Sequence, residues 1–119
     1  MTDQFTPIIK HFVALVKVEP FENSTKKIED IAQSIIRDLD LNVVKKLSHL
    51  FSPQGITLIY ILSESHLVIH TWPESGIIHV DMVTCSSRSE KEFENSLKYA
   101  FVDYNPASIE VKSVDFDKL

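Results

Sequence analysis

Glu64, Ser65 and His66 stand together in the sequence, His70 follows on the same stretch, and the chain's one cysteine is Cys85. A carboxylate, a hydroxyl, an imidazole and a thiol are the groups of acyl transfer and proton movement. A hydroxyl attacks a carbonyl when a base takes its proton, and a thiol with a pKa of about 8.5 stays mostly protonated at neutral pH and can act as an acid. Residue types alone are a weak warrant. Ser65 also reads as a strand-end hydroxyl, His70 as a strand imidazole with a partner, and Cys85 as a small buried hydrophobe. What separates the two readings is whether the chain brings these groups together.

The elements that must do so can be read from periodicity. Ile8 to Val18, rich in β-branched residues and stopped by Pro20, is expected to be a strand. Asn23 and Ser24 cap a helix whose apolar stripe is Ile28, Ile31, Ala32, Ile35, Ile36 and Leu39. Leu41 to Phe51 forms a second strand, Ser52-Pro53-Gln54-Gly55 a turn, and Ile56 to Leu62 a strand apolar on both faces and so expected at the centre of a sheet. His66–Trp72 and Ile77–Cys85 flank the hairpin connection Pro73-Glu74-Ser75-Gly76. Ser89 and Glu92 form a capping box for a helix that turns Phe93, Leu97, Ala100 and Phe101 inward. Asn105-Pro106 interrupts the chain before a last strand, Ile109 to Val114. The order β-α-β-β-β-β-α-β predicts an α+β fold, a two-layer sandwich of a mainly antiparallel sheet with both helices on one face. No repeat or low-complexity linker divides the 119 residues, which read as a single domain, 1–119.

A hairpin centred between Glu74 and Ser75 pairs Ser65 with Thr84, Glu64 with Cys85 and His70 with His79. Facing side chains lie about 5 Å apart, so the thiol and the serine meet. Ser65 and His70 are an odd number of residues apart, and a regular strand points them to opposite faces. A bulge or a break in the chain is needed to unite them.

The bulk composition narrows the function. Twelve basic and seventeen acidic residues give a net charge of −5, and basic residues adjoin only at Lys26-Lys27 and Lys45-Lys46, which argues against a nucleic-acid partner. Ile56 to Leu62 is too short to span a bilayer and the N-terminus lacks a signal pattern, so no membrane association and a cytoplasmic location are expected. A lone cysteine suits a reducing compartment. His11, His49 and His79 show no metal-ligand spacing, and no metal is expected.

Three segments then belong together: Phe51-Ser52-Pro53-Gln54-Gly55 ahead of a strand, the run from Glu64-Ser65-His66 through His70 to Thr71-Trp72-Pro73-Glu74, and Val80-Asp81-Met82-Val83-Thr84-Cys85. They resemble the bacterial and archaeal S-adenosylmethionine decarboxylases, a self-processing, pyruvoyl-dependent family. The resemblance implies that Ser65 attacks the carbonyl carbon of Glu64 to form an ester. β-Elimination would then give dehydroalanine, and hydrolysis a pyruvoyl group and ammonia, leaving chains 1–64 and 65–119. It assigns His70 as base for the elimination, Thr57, where serine is commoner, as support for the oxyanion, and Cys85 as the acid that returns a proton to the substrate. The pyruvoyl group, made from Ser65, is the implied cofactor. Its ketone can condense with the substrate amine and accept the electrons that decarboxylation leaves behind, which no ordinary side chain can do.

For S-adenosylmethionine itself, the resemblance implies that Phe51 stacks on adenine, Glu74 meets the ribose hydroxyls and the backbone around Leu67 lines the pocket. An aromatic face also suits the sulfonium. The product would be the aminopropyl donor for spermidine. Ser86 stands where glycine is usual, and Lys10 precedes His11 where the family tends to open with glycine. A homodimer with pockets at the subunit boundary is implied as well, and it agrees with a sheet that two helices cover on one face only. Two other functions fit the same reactive residues: a pyruvoyl-dependent decarboxylase of a basic amino acid such as arginine or ornithine, and a partner subunit that never cleaves. Phe51 and Glu74 favour the nucleoside, and intact Ser65, His70 and Cys85 favour an active chain.

Overall fold

The structure, a computed structural model, describes residues 8–19 and 24–116. The expected strand stop at Pro20 and cap at Asn23 lie outside the described residues. The elements are β1 (Lys10–Val18), α1 (Thr25–Asp38), β2 (Val43–Leu50), β3 (Ile56–Leu62), β4 (Ser65–Trp72), β5 (Ile77–Thr84), α2 (Glu90–Ala100) and β6 (Pro106–Val114), with short 3-10 turns at Pro73–Ser75 and Val102–Tyr104. They form one six-stranded sheet in the order β2-β3-β4-β5-β1-β6, every neighbouring pair antiparallel. The α+β two-layer sandwich read from the sequence is the architecture observed.

Local chemistry explains both helices. The Ser24 hydroxyl accepts the Lys27 N–H at 3.4 Å, and α1 buries Ile28, Ile31, Ala32, Ile35 and Ile36. At α2 the Ser89 hydroxyl accepts the Glu92 N–H at 3.1 Å while the Glu92 carboxylate accepts the Ser89 N–H at 3.0 Å, so two otherwise orphaned donors are satisfied reciprocally. Phe93, Leu97 and Ala100 of α2, with Phe101 beyond its end, join the α1 stripe over Phe12, Ala14, Val16, Leu58, Tyr60, Leu67, Ile69, Val80 and Met82. Phe12 and Phe93 stack at 5.5 Å across the two layers.

Two expectations need correction. β3 has a neighbour on each side but lies second from an edge, and the middle of the sheet is β4 and β5. Its apolar residues do line both faces, yet only Ile56, Leu58, Tyr60 and Leu62 lie beneath the helices; Thr57 and Ile59 are half-buried and Ile61 is exposed on the uncovered face. A doubly apolar strand therefore marks an apolar open face here rather than a central position. β6 begins at Pro106, which reads in sequence as an interruption. An edge strand tolerates proline at its first residue because no ladder bond needs its missing N–H.

The hairpin tip is fixed by Gly76. Its φ is +63°, its carbonyl accepts the Val18 N–H at 2.9 Å, and a Cβ there would lie 2.6 Å from the Val18 carbonyl oxygen. This contact seats the Pro73–Ser75 turn, and with it Glu74, against the end of β1.

Candidate active site

β4 opens on Ser65, which pairs with Leu62 on β3 and Thr84 on β5. Its φ is +152°, a region nearly reserved for glycine, so the junction between Glu64 and Ser65 is a strained piece of backbone. The Glu64 carbonyl accepts the Cys85 N–H at 3.0 Å, which extends the ladder one pair beyond β5 and brings the thiol residue beside the suspected bond. Cys85 is exposed rather than buried. The register deduced from the turn, Ser65 to Thr84 and His70 to His79, is the one observed.

The other end of β4 gathers the remaining candidates on the open face. His49, Thr57, His70 and His79 form one row across β2, β3, β4 and β5. The Thr57 hydroxyl hydrogen-bonds His70 Nδ1. The His70 ring lies 5.5 Å from Phe51 and 4.1 Å from Trp72, and His49 meets Phe51 edge-on at 4.5 Å. Burial holds the His70 pKa below its ordinary value of 6.5, the charge of His79 pushes it down further, and Glu74 opposes both. His70 is thus a neutral imidazole at physiological pH, the form in which it can take a proton.

Within one chain these two groups stay apart. Ser65 and His70 are five residues apart on a regular strand, about 16 Å, and their register positions are on opposite faces. No bulge intervenes in β4. Thr57 is likewise at the His70 end, paired with that histidine and remote from the Glu64 carbonyl. Leu67 is fully buried, with its side chain in the core beneath the helices, so only its backbone could line a pocket.

Several neighbours were not legible as functional. Asp81 bridges His11 Nε2 at 2.5 Å and His66 Nε2 at 3.6 Å, joining β1, β5 and β4 on the open face. Trp72 flanks His70, and Arg88 approaches Glu64 from the loop after β5, with Nη2 3.9 Å from Oε1. A diagonal count over neighbouring strands could have found Asp81 between its histidines. Nothing in the loop sequence singles out Arg88. Among the described residues no group of histidine, cysteine and carboxylates is arranged to hold a metal ion, and no helix is long and apolar enough to cross a membrane.

Residues 13–115 match the profile of the S-adenosylmethionine decarboxylase family. The chain belongs to that family. The S-adenosylmethionine decarboxylase proenzyme of Syntrophomonas wolfei is 40% identical over 81 residues, 66% of this chain and 64% of that protein. The proenzyme of Moorella thermoacetica is 41% identical over 81 residues, 66% of this chain and 65% of its own length, and that of Clostridium botulinum 44% identical over 63 residues, 53% and 54%. The chain therefore matches just under two thirds of the first two decarboxylase proenzymes and about half of the third. The crystal structure of the adenosylmethionine decarboxylase from Aquifex aeolicus shares the fold, covering 95% of this chain and 97% of that one with a TM-score of 0.74 at 23% identity.

Proposed function

We propose that this chain is a self-processing decarboxylase of S-adenosylmethionine, making the aminopropyl donor for spermidine. The observation that carries the proposal is the Glu64–Ser65 junction: a serine with φ +152° whose preceding carbonyl is already held by the Cys85 N–H. Strain raises the ground state of that bond, and a donor on its carbonyl oxygen stabilises the charge that appears when Ser65 Oγ attacks. The attack breaks the Glu64–Ser65 C–N bond and leaves an ester and a free amine. A base then takes the Ser65 Cα proton and the Cβ–Oγ bond breaks, leaving chain 1–64 with a C-terminal carboxylate. Water and loss of ammonia convert the dehydroalanine to a pyruvoyl group at the head of chain 65–119. The pyruvoyl would supply the sink for the electron pair left on the substrate when carbon dioxide departs.

The roles of the other residues come from the resemblance to the family. The exposed thiol of Cys85, the residue after Ser65's cross-strand partner Thr84, returns the proton to the substrate. Neutral His70, held by Thr57 and flanked by Phe51 and Trp72, takes the proton in processing. Phe51 and Glu74 receive the nucleoside, an aromatic face for adenine or sulfonium and a carboxylate for the ribose.

Since His70 and Ser65 lie about 16 Å apart in one chain, the active unit is a homodimer. The open face carries Leu15, Leu47, Ile61 and Trp72, each 39–45% exposed, an apolar surface that a second copy would bury. A two-fold axis running across the strands between two such faces brings the His70 end of one copy over the Ser65 end of the other.

Intact-mass spectrometry of purified protein tests the reading. It should find fragments 1–64 and 65–119, the second reactive toward hydrazines, and the protein should release carbon dioxide from S-adenosylmethionine but not from arginine or ornithine. A folded chain that stays whole after long incubation overturns the proposal. Cys85→Ala should still cleave but lose turnover; unchanged turnover would make the thiol structural.

A further inference from the structure

We propose that Arg88 is the binding site for the carboxylate created at Glu64 when the chain is cut, and that its cation assists the elimination step. The inference rests on the self-processing reading above and adds a residue to it. Arg88 lies in the loop between β5 and α2, with a side chain only 21% exposed. Its Nε is buried and has no hydrogen-bond partner among the described residues. Among the described residues the anion beside it is Glu64, whose side-chain Oε1 stands 3.9 Å from Nη2, too far for a hydrogen bond. A guanidinium is a planar fork of donors that suits a carboxylate held two-handed, and a buried donor without an acceptor is costly to keep.

The loop around Arg88 is held in place. The Arg88 N–H donates to the Ser86 carbonyl at 2.9 Å, the Ser86 and Thr84 hydroxyls bond at 2.8 Å, and the Cys85 N–H holds the Glu64 carbonyl. The loop thus carries a cation beside a residue that has one carboxylate before cleavage and two afterwards. The second appears at a defined moment. When the Cβ–Oγ bond of the ester breaks, its electron pair stays on the oxygen that becomes part of the Glu64 α-carboxylate. A nearby guanidinium stabilises that leaving group, whereas the preceding acyl shift moves no net negative charge onto a lasting carboxylate. The same contact would retain the new C-terminus once formed.

The test compares wild type, Arg88→Lys and Arg88→Gln by intact mass over time, with and without hydroxylamine. Hydroxylamine cuts only the ester, leaving a hydroxamate on Glu64 and an unmodified Ser65 at the head of the second fragment. Arg88→Gln should slow pyruvoyl formation about tenfold or more, the scale of a lost charge-assisted hydrogen bond, and raise the hydroxylamine-cut share. Arg88→Lys, a point charge without the fork, should fall between the two, and it is read alone if Arg88→Gln does not fold. Wild-type kinetics with no accumulated ester in the variants overturns the inference and leaves the decarboxylase reading standing, as does a block before ester formation. A wild-type chain that never cuts overturns both.

Discussion

The two ends of β4 differ in what holds them. At the Ser65 end the organisation is in the backbone: an unusual φ, a carbonyl gripped by an N–H and a loop pinned by hydroxyls. At the His70 end it is in the side chains, with imidazoles and aromatic rings standing together on the open face. Bond cleavage needs a strained peptide held still, which a backbone ladder provides. Recognition and proton transfer need rings and a neutral base, which a half-covered face provides. On the proposed reading, each chain holds the two halves of a site that it cannot itself close.

The largest expected effect tests that separation. Ser65→Ala and His70→Ala should each fail as homodimers, the second by about a hundredfold or more in processing. In a mixture with confirmed subunit exchange, the His70→Ala chain should be cut, because its Ser65 meets the intact His70 of its partner. If it stays whole there, the partner's histidine does not reach Ser65, and His66, adjacent to Ser65 and 3.6 Å from Asp81, becomes the base to test.

Strain at the Ser65 end has its own measurement. Neither Ser65→Gly nor Ser65→Ala can cleave, but glycine accepts φ +152° and alanine does not. Chemical denaturation should find Ser65→Gly more stable than Ser65→Ala by about 1–3 kcal/mol, in place of the usual deficit of glycine in a strand. A glycine variant no more stable than the alanine one would remove strain from the argument.

The smallest effect concerns pH at the His70 end. Its folded pKa lies below the unfolded 6.5. The neutral form's contribution to stability is therefore intact above that value and is lost as pH falls from the unfolded pKa toward the folded one. Processing should follow the same group, with an acid limb below 6.5. His79→Gln removes a charge that lowers the pKa and should move the limb up, and Glu74→Gln removes one that raises it and should move the limb down. Identical limbs in both variants would mean that another group titrates.

Much of this was legible in the sequence because it is local. The capping box of Ser89 and Glu92, the isoleucine stripe of α1 and the hairpin register through Glu74-Ser75 depend on residues close in the chain, and all three are observed. The position of β3 was not legible. It depends on β1 inserting between β5 and β6, a pairing of distant segments that no periodicity announces. The candidates Ser65, His70 and Cys85 could be named from their types together with the resemblance to the family, whereas Arg88 and the His11–Asp81–His66 bridge arise only from cross-strand and loop contacts. Ser65's φ could not be foreseen either, since serine gives no sign of a backbone that glycine would prefer.

The strand order has one more consequence. A cut after Glu64 would assign β1, β2 and β3 to one product and β4, β5 and β6 to the other. In the sheet these alternate: β3 against β4, then β5 against β1 and β1 against β6. Strands of the two products would be interleaved like the fingers of clasped hands, with β1 of the first gripped on both edges by strands of the second. Parting them would require breaking all three ladders, β3 with β4, β5 with β1 and β1 with β6, so scission of a covalent bond would leave a molecule whose two polypeptides separate only when it unfolds.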